Sequence, residues 1–131
     1  MHSVLTSKRF ADLSGQRVLV VEDEAVVAIL IEDDLIGAGA EVVGTATTVE
    51  HALTMIEVAM SDGGLTSAVL DLDLGGQRVH AVADRLVSLG VPFVIATGYG
   101  SNCDTGGHTA APVIHKPFSS NMLTLAVAGV A

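Results

Sequence analysis

Two hydrophobic periods alternate along the chain. Arg17–Val21, RVLVV, is a continuous apolar run rich in β-branched residues, the pattern of a strand buried on both faces. Residues 24–38 then carry Val27, Leu30, Ile31 and Leu35 at helical spacing, with Glu32, Asp33 and Asp34 expected towards solvent. Gly37 and Gly39 are the stop signals of that helix. Glu41–Ala46, EVVGTA, reads as a second strand. Thr47 or Thr48 is placed to cap the next helix, whose stripe is Val49, Ala52, Leu53, Ile56 and Met60. After the turn SDGGLTS a third strand begins over residues 67–70, and Gly75-Gly76 reads as a loop. Val79, Val82, Ala83 and Leu86 form a helical face closed by Gly90. VPFVIAT, residues 91–97, reads as a fourth strand, and PVIHK, residues 112–116, as a short fifth. SSNMLTLAVAGVA makes an uncharged final helix.

Strand and helix alternate with short connections, which predicts an α/β protein with a parallel sheet and helices on both faces. Residues 98–111, GYGSNCDTGGHTAA, carry four glycines and no apolar stripe. A loop or a short helix is therefore expected where a fourth helix belongs. Residues 1–15 lie outside the alternation and read as an N-terminal arm on a single domain, residues 16–131.

Composition narrows the function. The length, 131 residues, suits one domain with one core, and a hydrophobic content of 50% is far from a disordered composition. A net charge of −9 argues against nucleic acid or an anionic membrane as a partner, because both demand clustered Lys and Arg. It tolerates a metal cation, or a basic patch on another protein. A lone cysteine, Cys103, excludes an internal disulfide and suits a reducing cytoplasm. The first residues lack the apolar run of a signal peptide, and no stretch is long and apolar enough to span a bilayer. The uncharged final helix offers a face for a partner or a second copy, so a monomer or weak homodimer is expected.

The chemistry is concentrated after the strands. Glu22, Asp23 and Glu24 follow the first strand directly, repel one another, and are costly to bury without a neutralising cation. Glu24 reads as a helix-start acid. In an open parallel sheet, ligands bind beyond the carboxyl ends of the strands. Asp71 and Asp73 follow the third strand, Thr97 ends the fourth, and Lys116 ends the fifth. Carboxylates at such a rim suit Mg²⁺, and a carboxylate can also act as a nucleophile and become an aspartyl phosphate. Phosphoryl transfer needs its equatorial oxygens neutralised, a task for Mg²⁺, Lys116 and the Thr97 hydroxyl.

VLVVEDE, AVLDLDLGG, VIATGYG and HKPF resemble, in order, the four motif blocks of bacterial response-regulator receiver domains, from residue 17 onwards. The resemblance implies a flavodoxin-like, doubly wound five-stranded sheet in the order 2-1-3-4-5. It implies Asp71 as phosphoacceptor, and Mg²⁺ bound by Asp23 and Asp71, with Glu22 near it and the Asp73 backbone carbonyl as a further ligand. Thr97 would hydrogen-bond the phosphoryl group, Lys116 would pair with it, and the Lys116–Pro117 bond would be cis. The donor would be a sensor histidine kinase or a phosphotransfer protein. The output would be contact with an unknown downstream protein, in a regulator that assists its own phosphoryl transfer and dephosphorylation but is not an enzyme.

Two departures stand out. Glu22 occupies a position where receivers usually have Asp, and Val113 stands where they have Tyr or Phe. PFVIATGY, residues 92–99, resembles the PFxFATGY motif of the stand-alone FATGUY receivers, which makes Tyr99 the switch candidate. Glu22 and Val113 also keep open a receiver-shaped binding module that is never phosphorylated. A haloacid-dehalogenase-type phosphatase is a weaker alternative, because it needs an acidic motif after the lysine and no Asp or Glu follows Lys116.

Overall fold

Side chains alternate along the long strands, and the sheet sorts them onto two faces. The computed structural model describes residues 11–98 and 111–131. Its main sheet contains β1 (Arg17–Val21), β2 (Glu41–Ala46), β3 (Ser67–Asp71), β6 (Phe93–Thr97) and β7 (Val113–His115). The order is β2-β1-β3-β6-β7, all neighbours parallel. Counting only these strands, this is the expected 2-1-3-4-5. Helices α1 (Ala25–Gly37), α2 (Val49–Met60), α3 (His80–Ser88) and α4 (Ser120–Val130) complete the α/β, flavodoxin-like fold.

Leu19, Val21, Leu70, Phe93 and Ile95 point to one face, where Ile56 of α2 and Val82 and Leu86 of α3 cover them. Val18, Val20, Val69 and Val94 point to the other, beneath Ile31 and Leu35 of α1 and Leu123 and Val127 of α4. A sheet covered on both sides requires both alternating sets to be apolar, hence the unbroken run in β1. Helix ends are set locally. Thr48, not Thr47, caps α2, its side chain accepting from the His51 N–H at 3.1 Å. At the end of α1, Gly39 has φ +103°. The Ala40 N–H bonds the Leu35 carbonyl at 3.0 Å and the Gly39 N–H bonds that of Ile36 at 2.9 Å. This reversal favours glycine because other residues are strained at positive φ.

Three details differ from the pattern reading. Leu30 was expected in the core stripe of α1, but it is 57% exposed; Ala28, Ile31 and Leu35 face the sheet instead. The helix is apolar nearly all round, so periodicity alone picks no face. Residues 73–78, expected as a loop around Gly75-Gly76, form a small antiparallel hairpin, β4 (Asp73–Leu74) with β5 (Gln77–Arg78). Both glycines have positive φ, +57° and +92°, as a tight two-residue hairpin turn demands. Leu13, within the stretch read as an arm, is fully buried, and its N–H donates to the Ala38 carbonyl at 2.8 Å. The first ten residues of that arm, and the segment 99–110 where the fourth helix was expected to degrade, lie outside the described residues. Among the described residues no helix is long and apolar enough to cross a membrane.

Ile56 is fully enclosed between α2 and the sheet, whereas Val58 on the same helix is 60% exposed. Ile56→Ala is expected to cost about 2–5 kcal/mol in urea unfolding. Val58→Ala should stay within about 0.5 kcal/mol of the parent.

Candidate functional site

Register brings the candidate residues to one rim. Val21 of β1 lies opposite Leu70 of β3, so Glu22 and Asp71 emerge side by side. Asp71 lies opposite Ala96 of β6, one residue before Thr97, and Thr97 lies opposite His115 of β7. Lys116 follows directly, its N–H donating to the Thr97 carbonyl at 2.8 Å. The peptide bond from Lys116 to Pro117 is cis, as expected. Beyond the strand ends lies a cleft of about 440 Å³, lined in part by Asp23, Glu24, Asp71, Asp73, Gly75 and Lys116.

Charge dominates this cleft. The Lys116 Nζ lies 2.8 Å from Glu22 Oε1, 3.4 Å from Asp71 Oδ2 and 3.6 Å from Glu24 Oε1. Glu22 is fully buried, and its other oxygen accepts from the Glu24 N–H at 3.1 Å. Asp23 is exposed and bridges to the hairpin, its Oδ2 accepting from the Gly75 N–H at 2.8 Å. The Asp73 N–H reaches Asp71 Oδ1 at 3.4 Å, a long contact. Burial, with a hydrogen bond and like charge from Glu22, pushes the Asp71 carboxyl up to about 7, against the pull of Lys116. Burial works against the Lys116 ammonium, but Glu22, Asp71 and Glu24 together hold it above its ordinary value.

Glu22, Asp23 and Asp71 each present a carboxylate oxygen within 4.8 Å of the others. One ammonium does not balance three carboxylates, and the Asp71 carboxyl is raised first by burial and then by Glu22. An all-oxygen donor set with excess negative charge suits a hard divalent cation.

The rim therefore unites Glu22, Asp23, Asp71, Asp73, Thr97 and Lys116, all singled out by position after a strand. Thr97 is fully buried at the end of β6. Val113 packs at the edge of the core cluster under α2 and α3. Tyr99 lies outside the described residues. Two participants were missed. Glu24 flanks the start of α1, as its reading as a helix-start acid had it, yet its side chain makes no capping bond and faces Lys116 instead. The Gly75 amide was missed because a two-residue hairpin leaves little trace beyond the Gly-Gly pair.

No protein-family model matches the chain. It is 36% identical to SdrG from Sphingomonas melonis Fr1, whose solution structure superposes with a TM-score of 0.73 over 93% of this chain and 97% of that one. It is 32% identical over 109 residues to the phyllosphere-induced regulator PhyR of Methylorubrum extorquens, covering 82% of this chain. The response regulator PhyR from Brucella abortus, 23% identical, shares the fold with a TM-score of 0.78 over 98% of the chain. The chain spans 40% of the length of the Methylorubrum PhyR and 52% of the Brucella one. Motif order, sheet order, rim geometry and these relatives together lead to one conclusion: the chain belongs to the response-regulator receiver domains.

Proposed function

We propose that residues 16–131 act as a phosphoacceptor in a two-component or phosphorelay pathway, with Asp71 as the acceptor. One Asp71 oxygen attacks the phosphorus of a phosphohistidine on a sensor histidine kinase or phosphotransfer protein. The O–P bond forms as the N–P bond breaks, and the imidazole leaves and takes a proton from solvent. Lys116 pairs with the transferred group, and the Thr97 hydroxyl hydrogen-bonds it. A Mg²⁺ ion held by Glu22, Asp23, Asp71 and the Asp73 carbonyl would add positive charge at the equatorial oxygens. The observation that carries this reading is the convergence of three carboxylates and Lys116 at the ends of three strands. SdrG has been solved in a BeF3-activated conformation, which supports a site that takes a phosphoryl-like group. PhyR of Bartonella quintana is an anti-anti-sigma factor, which supports output through contact with another protein. Charge added at the rim would bias the loops around it.

Intact mass after incubation with Mg²⁺ and acetyl phosphate or phosphoramidate tests the acceptor. One phosphoryl adduct is expected, absent from Asp71→Asn and lost with EDTA. No adduct from small donors or from a panel of phosphorylated kinases would sink the reading and leave the unphosphorylated binding module.

Glu22→Asp draws the carboxylate back from Lys116. Calorimetry should then show Mg²⁺ binding tightened, by about two- to ten-fold, because the buried ammonium competes less for that carboxylate.

Asp71 also sets a pH dependence in EDTA. Its folded value, about 7, lies above its ordinary 3.8, so the folded state holds an extra proton between the two. Stability is full below the lower value and falls as pH rises to about 7. Unfolding midpoints should fall between pH 5 and pH 8, and Asp71→Asn should remove much of that fall.

A further inference from the structure

Among the described residues four carboxylates line the cleft, and three of them already have a part in it. Asp23 and Asp71 belong to the oxygen set suited to a divalent cation, and the Asp73 N–H contacts Asp71. Glu24 belongs to neither arrangement. It flanks the start of α1, yet its side chain makes no capping bond there. It is 66% exposed, and its Oε1 lies 3.6 Å from the Lys116 Nζ, the same ammonium that lies 3.4 Å from Asp71 Oδ2.

Position gives this acid its leverage. Glu24, Gly98 and Lys116 line both the cleft and a second groove, of about 500 Å³, that runs past Leu30 and Phe118. Glu24 therefore stands where the two hollows meet. Asp71 and Lys116 sit deeper, with side-chain exposures of 8% and 16%. A group that approaches Asp71 past Lys116 comes under the negative charge of Glu24.

That charge does not act equally on all phosphoryl donors. An acyl phosphate is more anionic at neutral pH than phosphoramidate, whose nitrogen is protonated. Transfer sharpens the difference. From acetyl phosphate, the Asp71 oxygen bonds to phosphorus as the acyl O–P bond breaks, and acetate leaves as an anion. From phosphoramidate the N–P bond breaks, and ammonia leaves neutral with the three protons the nitrogen already carried. A carboxylate beside the path opposes the first and tolerates the second.

We infer that Glu24 is a specificity residue of the cleft, selecting N-phosphoryl donors over acyl phosphates by charge. This role presupposes Asp71 as the phosphoacceptor. A phosphohistidine shares the N–P bond, so the same carboxylate tolerates a protein donor while holding back small, more anionic phosphates.

Rates of adduct formation on the full chain, followed by intact mass with Mg²⁺ and either acetyl phosphate or phosphoramidate, test it. E24Q should raise the second-order rate constant with acetyl phosphate about two- to five-fold, the effect of one charge in a wet cleft, and that with phosphoramidate by less than about two-fold. E24D keeps the charge and should match the parent with both donors. D62N removes the same charge between α2 and β3, at the opposite edge of the sheet, and should also match it. At about 0.5 M salt, where the Debye length is about 4 Å, the preference created by E24Q should shrink. Loss of a helix-start acid alone would alter α1 without changing the ratio of the two donors. Adducts on every variant with an unchanged donor ratio, or an equal rise with D62N, would overturn the role of Glu24 and leave Asp71 as acceptor. No adduct on any variant from either small donor would also overturn it, and failure with phosphorylated kinases as well would overturn the acceptor.

Discussion

Glu22 is a fully buried acid at the end of a central strand, and the site depends on how its charge is met. Removing a carboxylate from water is expensive without a close partner. Lys116 meets that need at 2.8 Å, and it comes from the far end of the chain, two strands across the sheet from β3. The contact ties β1 to the loop after β7 and draws a single ammonium towards three acids. Because Glu is one methylene longer than Asp, this side chain reaches the lysine more closely than Asp71 does. Asp71 is left in a buried, negative environment with only part of a counter-charge, which is why its carboxyl sits near 7.

The sheet supplies the precision. Parallel pairing of β1, β3, β6 and β7 in near register ends all four strands at one edge. Both faces are sealed by helices, so the edge is where polar groups reach solvent. The β4–β5 hairpin closes one side of the cleft, and its Gly75 amide fixes Asp23. On the other side stands α1, whose first residues adjoin the acids and whose outer face is apolar. The same helix thus serves the core, the site and an exposed surface, which explains why its apolar residues lie on more than one side.

That dual use marks the limit of pattern reading. For α2 and α3 the apolar stripe lies mainly on one side, with Val58 and Val87 outside it, and Ala52, Ile56, Val82, Ala83 and Leu86 are buried where the period places them. For α1 the period is blurred, and Leu30 was put on the wrong side. Strands posed no such difficulty, since a sheet covered on both faces needs no choice of face. The rim residues were legible because each stands at the end of an apolar run or within three residues of it, and motif order implied roles for them only by resemblance. Glu24 and Gly75 were not, because a helix-start acid and a Gly-Gly turn look the same whether or not they line a cleft.

By itself the sequence determined the order along the chain of the main-sheet strands and the helices, the two-sided core, and which acids, hydroxyl and ammonium fall at or just after strand ends. Those follow from local periods of two and 3.6 residues and from position along the chain. Only the tertiary structure decided that Lys116 lies closer to Glu22 than to Asp71, that Glu24 joins them, and that α1 turns Leu30 outward. Each of these is a contact between segments far apart in the chain, or a choice among equivalent helix faces. Such contacts are settled by sheet register, helix rotation and the balance of charge in a confined space, none of which is written in local periodicity.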